Sequence, residues 1–256
     1  MKKIFKKLSC VLLAAVFCCM MTPFAVNAAV RYEKNQTIYR DSKADPYTSG
    51  DITVWGLSDK QSISQSSVKV ISGKNIISLS NFAKSTSKYS WEYWEKGQKA
   101  TAKADGYYSI SFRAKKNGTG KIAFKIGKKT YTATVRILPY VNPVSSLTVT
   151  GVKNGSSANL AGKFKTYSSV METSGIKKAQ KNAVITCKAA KGWKITSLGF
   201  SNEKTNVTRD IYNDKGVSSV SLRAGDLAAG QTGSIDISLV NVKTGGTQDC
   251  TLKWIQ

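Results

Sequence analysis

Histidine is absent from the 256 residues, and with it go the commonest general base, the commonest metal ligand and any Ser-His-Asp or Cys-His arrangement. Lysine is the base that remains. The pattern Ser-x-x-Lys, which pairs a hydroxyl with an amine, starts at Ser66, Ser85, Ser174 and Ser201, no oftener than abundant serine and lysine produce by chance. Lys243-Thr244-Gly245 has the form of a box that completes serine acyl-transfer sites, yet the Ser-Asp-Asn box such sites also need is missing. Glu92 and Glu95 would serve glycoside hydrolysis only if their carboxylates met across a cleft, and three residues apart on a strand they face opposite sides. Asp41, Asp45 and Asp51 offer oxygens to a calcium ion, but their spacing matches no calcium loop and reads as a polar segment. The residue types therefore predict no catalytic set, no metal and no cofactor.

Three of the five cysteines fall within the first 19 residues, which leaves Cys187 and Cys250. Two cysteines 63 residues apart (250 − 187) without histidine make no usual zinc set. Each sits among alternating apolar residues, so a disulfide between them is one expectation and a pair of buried thiols the other. A bridge closing that loop would contribute at most about 4 kcal/mol by chain entropy.

The segment TSKYSWEYWEKGQK, 86–99, is the one place where side chains suited to a ligand crowd together. Trp91, Tyr93 and Trp94 stand beside Lys88, Lys96 and Lys99, and flat rings flanked by cations suit sugar rings or nucleobases. Alternation on a strand places Tyr89, Trp91 and Tyr93 on one face and Trp94 on the other. The competing expectation is that Trp91 is a sandwich-core tryptophan and Trp94 packs under a loop or against a second domain. Trp193 and Trp254 are expected in the core.

Charge narrows the partners. The formal net charge is +24, from 39 Lys and Arg against 15 Asp and Glu. All but Arg31, Arg40, Arg113, Arg136, Arg209 and Arg223 are lysines. Lysine is a hydrated point charge suited to diffuse attraction, where arginine suits bidentate recognition of one anion geometry. Residues 1–28 read as a signal peptide: Lys2, Lys3, Lys6 and Lys7 precede the apolar run CVLLAAVFCCMM, Pro23 breaks it, and Val26-Asn27-Ala28 precedes a cleavage point near Ala29. No transmembrane segment is expected after cleavage. A secreted or cell-surface-associated protein of this charge points to an anionic cell-wall polymer or an acidic polysaccharide, with extracellular nucleic acid as a further partner. Solubility alone is the plain alternative.

The elements that must carry these residues are strands. In KNGTGKIAFKIGKKTYTATVRIL, 116–138, Ile122, Phe124 and Ile126 alternate with Lys121, Ala123 and Lys125. After a turn around Gly127, Tyr131, Ala133, Val135 and Ile137 alternate with Thr130, Thr132, Thr134 and Arg136. One face is core and the other is wet. Comparable signals recur to the C-terminus with no long amphipathic helix. Leu138-Pro139-Tyr140-Val141-Asn142-Pro143 interrupts them midway, so the chain is expected to be all-β, with domains at 29–140 and 141–256.

ADGYYSISFRAKKNGTGKIAFKIGKKTYTATVRIL, 104–138, resembles the C-terminal part of the bacterial group 2 immunoglobulin-like domain: a strand, a Lys-Asn-Gly-Thr-Gly turn, a short apolar strand, and a Lys-Lys-Thr-Tyr hairpin into the last strand. The second domain is similar to exported immunoglobulin-like modules more loosely, through KAAKGWKITSLGF and RAGDLAAGQTGSIDISL, where Leu227 is expected to tuck beneath a turn before Ile235, Ile237 and Leu239 line the core. The resemblance implies tandem immunoglobulin-like β-sandwiches used as spacer, adhesin or polysaccharide-associated module, without a catalytic site. Three functions stay open on the sequence: a non-enzymatic binding or adhesion protein contacting anionic polymers, a passive spacer or accessory subunit, and a glycan-active hydrolase.

Overall fold

The computed structural model describes residues 30–41, 48–58, 60–86, 89–95, 98–104, 106–152, 159–166, 168–172, 180–203, 205, 207–227 and 232–254. The expected signal peptide lies outside them. Strands account for nearly all regular structure, because alternating β-branched and aromatic residues bury one face and leave the other to water. In chain order they are β1 (Arg31–Tyr32), β2 (Asn35–Arg40), β3 (Ser49–Trp55), β4 (Lys69–Ser72), β5 (Ile77–Ser85), β6 (Tyr89–Glu95), β7 (Gln98–Ala104), β8 (Tyr107–Ala114), β9 (Gly118–Ile126) and β10 (Lys129–Pro139). Eight more follow: β11 (Val144–Val152), β12 (Ser169–Glu172), β13 (Gln180–Ala189), β14 (Trp193–Asn202), β15 (Val207–Val217), β16 (Ser219–Leu227), β17 (Gly233–Asn241) and β18 (Thr247–Trp254).

Pairing divides them into two immunoglobulin-like sandwiches in tandem. In the first module the order β1-β3-β8-β5 faces the order β2-β10-β9-β4. In the second, β11-β13-β16 faces β12-β18-β17-β14-β15. Among the described residues, no strand before Tyr140 shares a sheet with one after it. One sheet of each module has an edge strand running parallel to its neighbour, β2 along β10 and β12 along β18, while the other pairings in those sheets are antiparallel.

The first core is built from Ile52, Val54, Ile110, Phe112, Ile122, Phe124, Val135 and Ile137, all buried. Phe124 meets the edge of Tyr32 at 5.3 Å between centroids and stacks on Tyr131 at 5.6 Å. The second core holds Leu147, Ile185, Leu198, Phe200, Leu227, Ile235, Ile237 and Leu239. Burial of each such side chain contributes roughly 1.5–3 kcal/mol. Two features set the 116–138 hairpin. Gly127 takes φ +59 at the tip, a conformation an L side chain resists. The register then pairs Phe124 with Tyr131, Ile122 with Ala133 and Lys121 with Thr134, so the two apolar rows share one face as the alternation predicts.

The modules meet through specific contacts. Tyr39 on β2 packs against Trp193 at 4.9 Å between ring centroids, and its hydroxyl is 3.2 Å from Thr244 Oγ1. Asp41 accepts from the Ser168 backbone N–H at 2.8 Å. The Tyr140 hydroxyl in the connecting segment donates to the Phe164 carbonyl at 2.6 Å. Trp193 is buried, as expected, and the side chain of Trp254 lies outside the described residues.

Candidate functional site

The aromatic segment singled out above falls on β6, and its strand does not belong to a sheet of either sandwich. β6 and β7 form a two-stranded sheet of their own between β5 and β8 in the chain. Register sets Trp91 opposite Ala102, Tyr93 opposite Ala100 and Trp94 opposite Lys99. Trp91 is therefore on a separate hairpin and not on a sheet of the sandwich. Lys88 and Lys96 lie outside the described residues, as do the side chains of this hairpin.

The other chemistry-bearing residues are engaged locally. Cys187 on β13 and Cys250 on β18 enter the second core from opposite sheets; both are buried, and the structure records both as free thiols. Burial pushes each thiol up to about 12, so neither is a nucleophile at neutral pH. Lys243-Thr244-Gly245 forms the turn between β17 and β18, where Asn241 Oδ1 accepts from the Lys243 and Thr244 backbone N–H groups. Asp51 accepts from the hydroxyls of Ser109, at 3.0 Å, and Ser111. Asp45 lies outside the described residues. Among the described residues no three His, Cys, Asp or Glu stand together as a metal site, and no helix is long and apolar enough to cross a membrane.

What the structure assembles is a charged sheet face. The strands β4, β9, β10 and β2 contain no Asp or Glu. On the outer side of this sheet Lys69, Lys121, Lys125 and Arg136 are exposed, interleaved with Thr119, Thr130, Thr132, Thr134 and the buried Ala123. Their direction follows from the pleat: Ile122, Phe124, Ile126, Ala133, Val135 and Ile137 take the core positions, so the alternate residues must face water. Lys128 and Lys129 extend the basic surface at the hairpin tip, Lys129 Nζ lying 5.2 Å from the Tyr131 ring centroid. No carboxylate on this sheet neutralises the cations, so their fields add over the face.

Sequence reading anticipated Lys121, Lys125 and Arg136 on a wet face but not Lys69, which joins them only because β4 pairs with β9 and sets Lys69 beside Ala123. It also missed Glu33. That carboxyl accepts from the Thr53 backbone N–H at 3.0 Å and from Gln36 Nε2 at 2.9 Å. Burial holds it above the usual carboxylate range against the opposing pull of those two bonds. It ties β2 to β3 at the sandwich edge, and a polar residue outside any alternating run carries no local sign of such a role.

No family model matches the chain, and no curated protein matches it. Among solved structures it is similar to domains 5–6 of the S-layer protein SbsC, at 11% identity over 89% of this chain and 97% of that one, with a TM-score of 0.26. The adhesin InvE of Yersinia pseudotuberculosis is similar at 11% identity over 90% of this chain and 59% of that one, TM-score 0.24. The chicken CNTN1 FN1–FN3 domains give 9% identity over 88% and 66%, TM-score 0.28. Likeness at these values transfers no function, and the architecture described above rests on this chain's own strand pairing.

Proposed function

We propose that this chain is a non-enzymatic binding protein of the cell surface or extracellular matrix that contacts an anionic polymer through its first sandwich. The observation that carries this reading is the outer face of the β2-β10-β9-β4 sheet, where Lys69, Lys121, Lys125 and Arg136 are exposed and no carboxylate shares their strands. A face built only for solubility needs neither one sign of charge nor a contiguous arrangement, since interspersed charges of both signs keep a surface wet. The export pattern of residues 1–28 supports an extracellular setting, in which wall polymers and acidic polysaccharides are the abundant polyanions.

The reaction-bearing groups supply no competing reading. The thiols are buried and protonated, Lys243-Thr244-Gly245 is a hairpin turn, and Asp51 is held by serine hydroxyls. Binding is electrostatic in origin, because exposed charges act over a screening length of about 8 Å at physiological ionic strength and about 3 Å at 1 M salt. The test is retention of the purified protein on whole cells, isolated wall and DNA across a salt series. The expected result is strong retention at low salt and release as salt rises; retention that is unchanged at 1 M NaCl overturns the electrostatic reading.

A further inference from the structure

The cations of the first module are not scattered over their face. The antiparallel register places Arg136 in one cross-strand row with Thr119, and Lys121 in the next with Thr134. Lys69 stands in the third row with Ala123 and Thr132, and Lys125 in the fourth with Thr130. Each of these consecutive rows therefore holds one cation. Rows on one face are two residues apart, roughly 6.6–6.8 Å along the strand, so the series extends over about 20 Å. Arg136 is on β10, Lys121 and Lys125 on β9 and Lys69 on β4, within about one strand spacing of 4.7–4.9 Å on either side of β9. Long flexible side chains reach that far, so the charges converge on a track above β9.

We propose that this face binds a linear alditol phosphate polymer, laid along β9 with one phosphate to each row; the assignment rests on the anionic-polymer reading above and adds its site and its ligand class. Two residues of extended backbone span six covalent bonds. A three-carbon alditol phosphate repeat also spans six bonds from one phosphorus to the next, and it carries one negative charge. The repeat of the ligand and the repeat of the cations therefore keep step along the strand. Threonine hydroxyls between the cations, at Thr119, Thr130 and Thr134, offer donors to phosphate oxygens or partners to the alditol hydroxyl. Alanine at 123 leaves the middle of the track low.

The face disfavours the other polyanions by what it lacks. A nucleic-acid strand has the same number of bonds per phosphate, but its bases seek rings to stack on. The rings of β9 and β10, Phe124 and Tyr131, are stacked on one another on the core side of the sheet. A uronate glycan carries its charge on bulky rings, which flat aromatic surfaces accept and a Lys-Thr pleat does not.

The test compares two variants of equal net charge in the full chain. One carries Lys69→Gln, Lys121→Gln, Lys125→Gln and Arg136→Gln. The other carries Lys188→Gln, Lys191→Gln, Lys215→Gln and Lys243→Gln, all exposed positions of the second module. Each protein is titrated with a synthetic glycerol phosphate oligomer longer than four units, with polygalacturonate and with single-stranded oligothymidylate, and thermal melting confirms that both variants are folded. The expected result is a loss of roughly several hundredfold in glycerol phosphate affinity for the first variant, at about fivefold per cation. The second variant should stay within about threefold of the unsubstituted protein, by general screening alone. An equal loss in both variants overturns the track while leaving diffuse polyanion binding intact. Tighter binding of polygalacturonate or oligothymidylate at equal charge concentration overturns the ligand class. An unsubstituted protein that binds none of the three removes the anionic-polymer reading itself.

Discussion

The outer faces of two sheets, β2-β10-β9-β4 in the first module and β12-β18-β17-β14-β15 in the second, use charge in opposite ways. In the first module the face carries lysines, one arginine and threonines with no acid on its strands. In the second, Asp210, Asp236 and Asp249 are exposed on β15, β17 and β18. There acids are mixed among the cations: Asp236 accepts from Thr251 Oγ1 at 2.7 Å and Ser234 Oγ at 2.9 Å, and Glu203, just past β14, pairs with Lys253 at 3.1 Å. Both modules are basic by count, with 20 Lys and Arg against 8 Asp and Glu in residues 29–140 and 15 against 7 in 141–256. Net charge thus conceals the distinction. A field that reaches a partner comes from cations without acids among them, and the outer face of the first module holds such cations in register.

The largest expected effects come from unfolding one module at a time. Phe124→Ala and Phe200→Ala each remove a fully buried ring from one core, and each should cost about 3–5 kcal/mol. Thermal or urea unfolding followed by tryptophan fluorescence would measure the loss. At a temperature that melts the weakened module, Phe124→Ala should abolish retention on anionic wall material while Phe200→Ala preserves it. Retention lost only in Phe200→Ala would assign the binding face to the wrong module.

A smaller effect separates the backbone beneath the two faces. Gly73 has φ +70, and a Cβ there would lie 2.6 Å from the Thr119 carbonyl oxygen and 2.8 Å from Gly120 Cα. Those atoms belong to the β9 backbone and cannot swing aside. Gly73→Ala should therefore cost roughly 1–3 kcal/mol and shift β4 against β9. At Gly199 in the second module, a Cβ would meet Asp210 Oδ1 at 2.5 Å, the far end of a mobile side chain. Gly199→Ala should cost less than about 1 kcal/mol. Melting temperatures of the two variants check the pair, and equal losses would mean that the two faces are equally rigid.

The same contrast marks where sequence reasoning succeeds. Within 116–138 the inward and outward residues were legible because the pleat writes a period of two into adjacent positions, and one wet face suffices to reveal it. Ile235, Ile237 and Leu239 were legible for the same reason and are buried, as is Leu227, expected beneath a turn. The row formed by Lys69, Ala123 and Thr132 was not, since it joins residues 54 positions apart (123 − 69) through a register that no local pattern records. β2 was equally opaque. NQTIYR does not alternate cleanly, yet Ile38 packs on the first core and Tyr39 on the second, because the strand lies where the modules meet. The hairpin of β6 and β7 shows the opposite error: its alternation is strong, but alternation does not say which sheet a strand will join.

The thiols provide the last and smallest handle, and one confined to the second module. Cys187 and Cys250 have ordinary values of 9.0 and are pushed up to about 12, chiefly by burial. The unfolded chain therefore loses these protons first as pH rises. Stability from the neutral thiols is full below about 9 and is lost between there and about 12, amounting to about 1 kcal/mol per thiol near pH 10. Lysines and tyrosines titrate in the same range, so the informative quantity is the difference in urea stability between pH 7.5 and pH 10, compared between the unsubstituted protein and Cys187→Ala. Removing one thiol should reduce the alkaline loss by that amount, whatever the substitution costs at neutral pH. The same double measurement on Phe124→Ala should show the full alkaline loss, because its defect is in the module without cysteine. Identical pH dependence in the unsubstituted protein and Cys187→Ala would mean that no free thiol titrates, as expected if the two sulfurs are bonded, and the second core would then be held by a covalent link that the first does without.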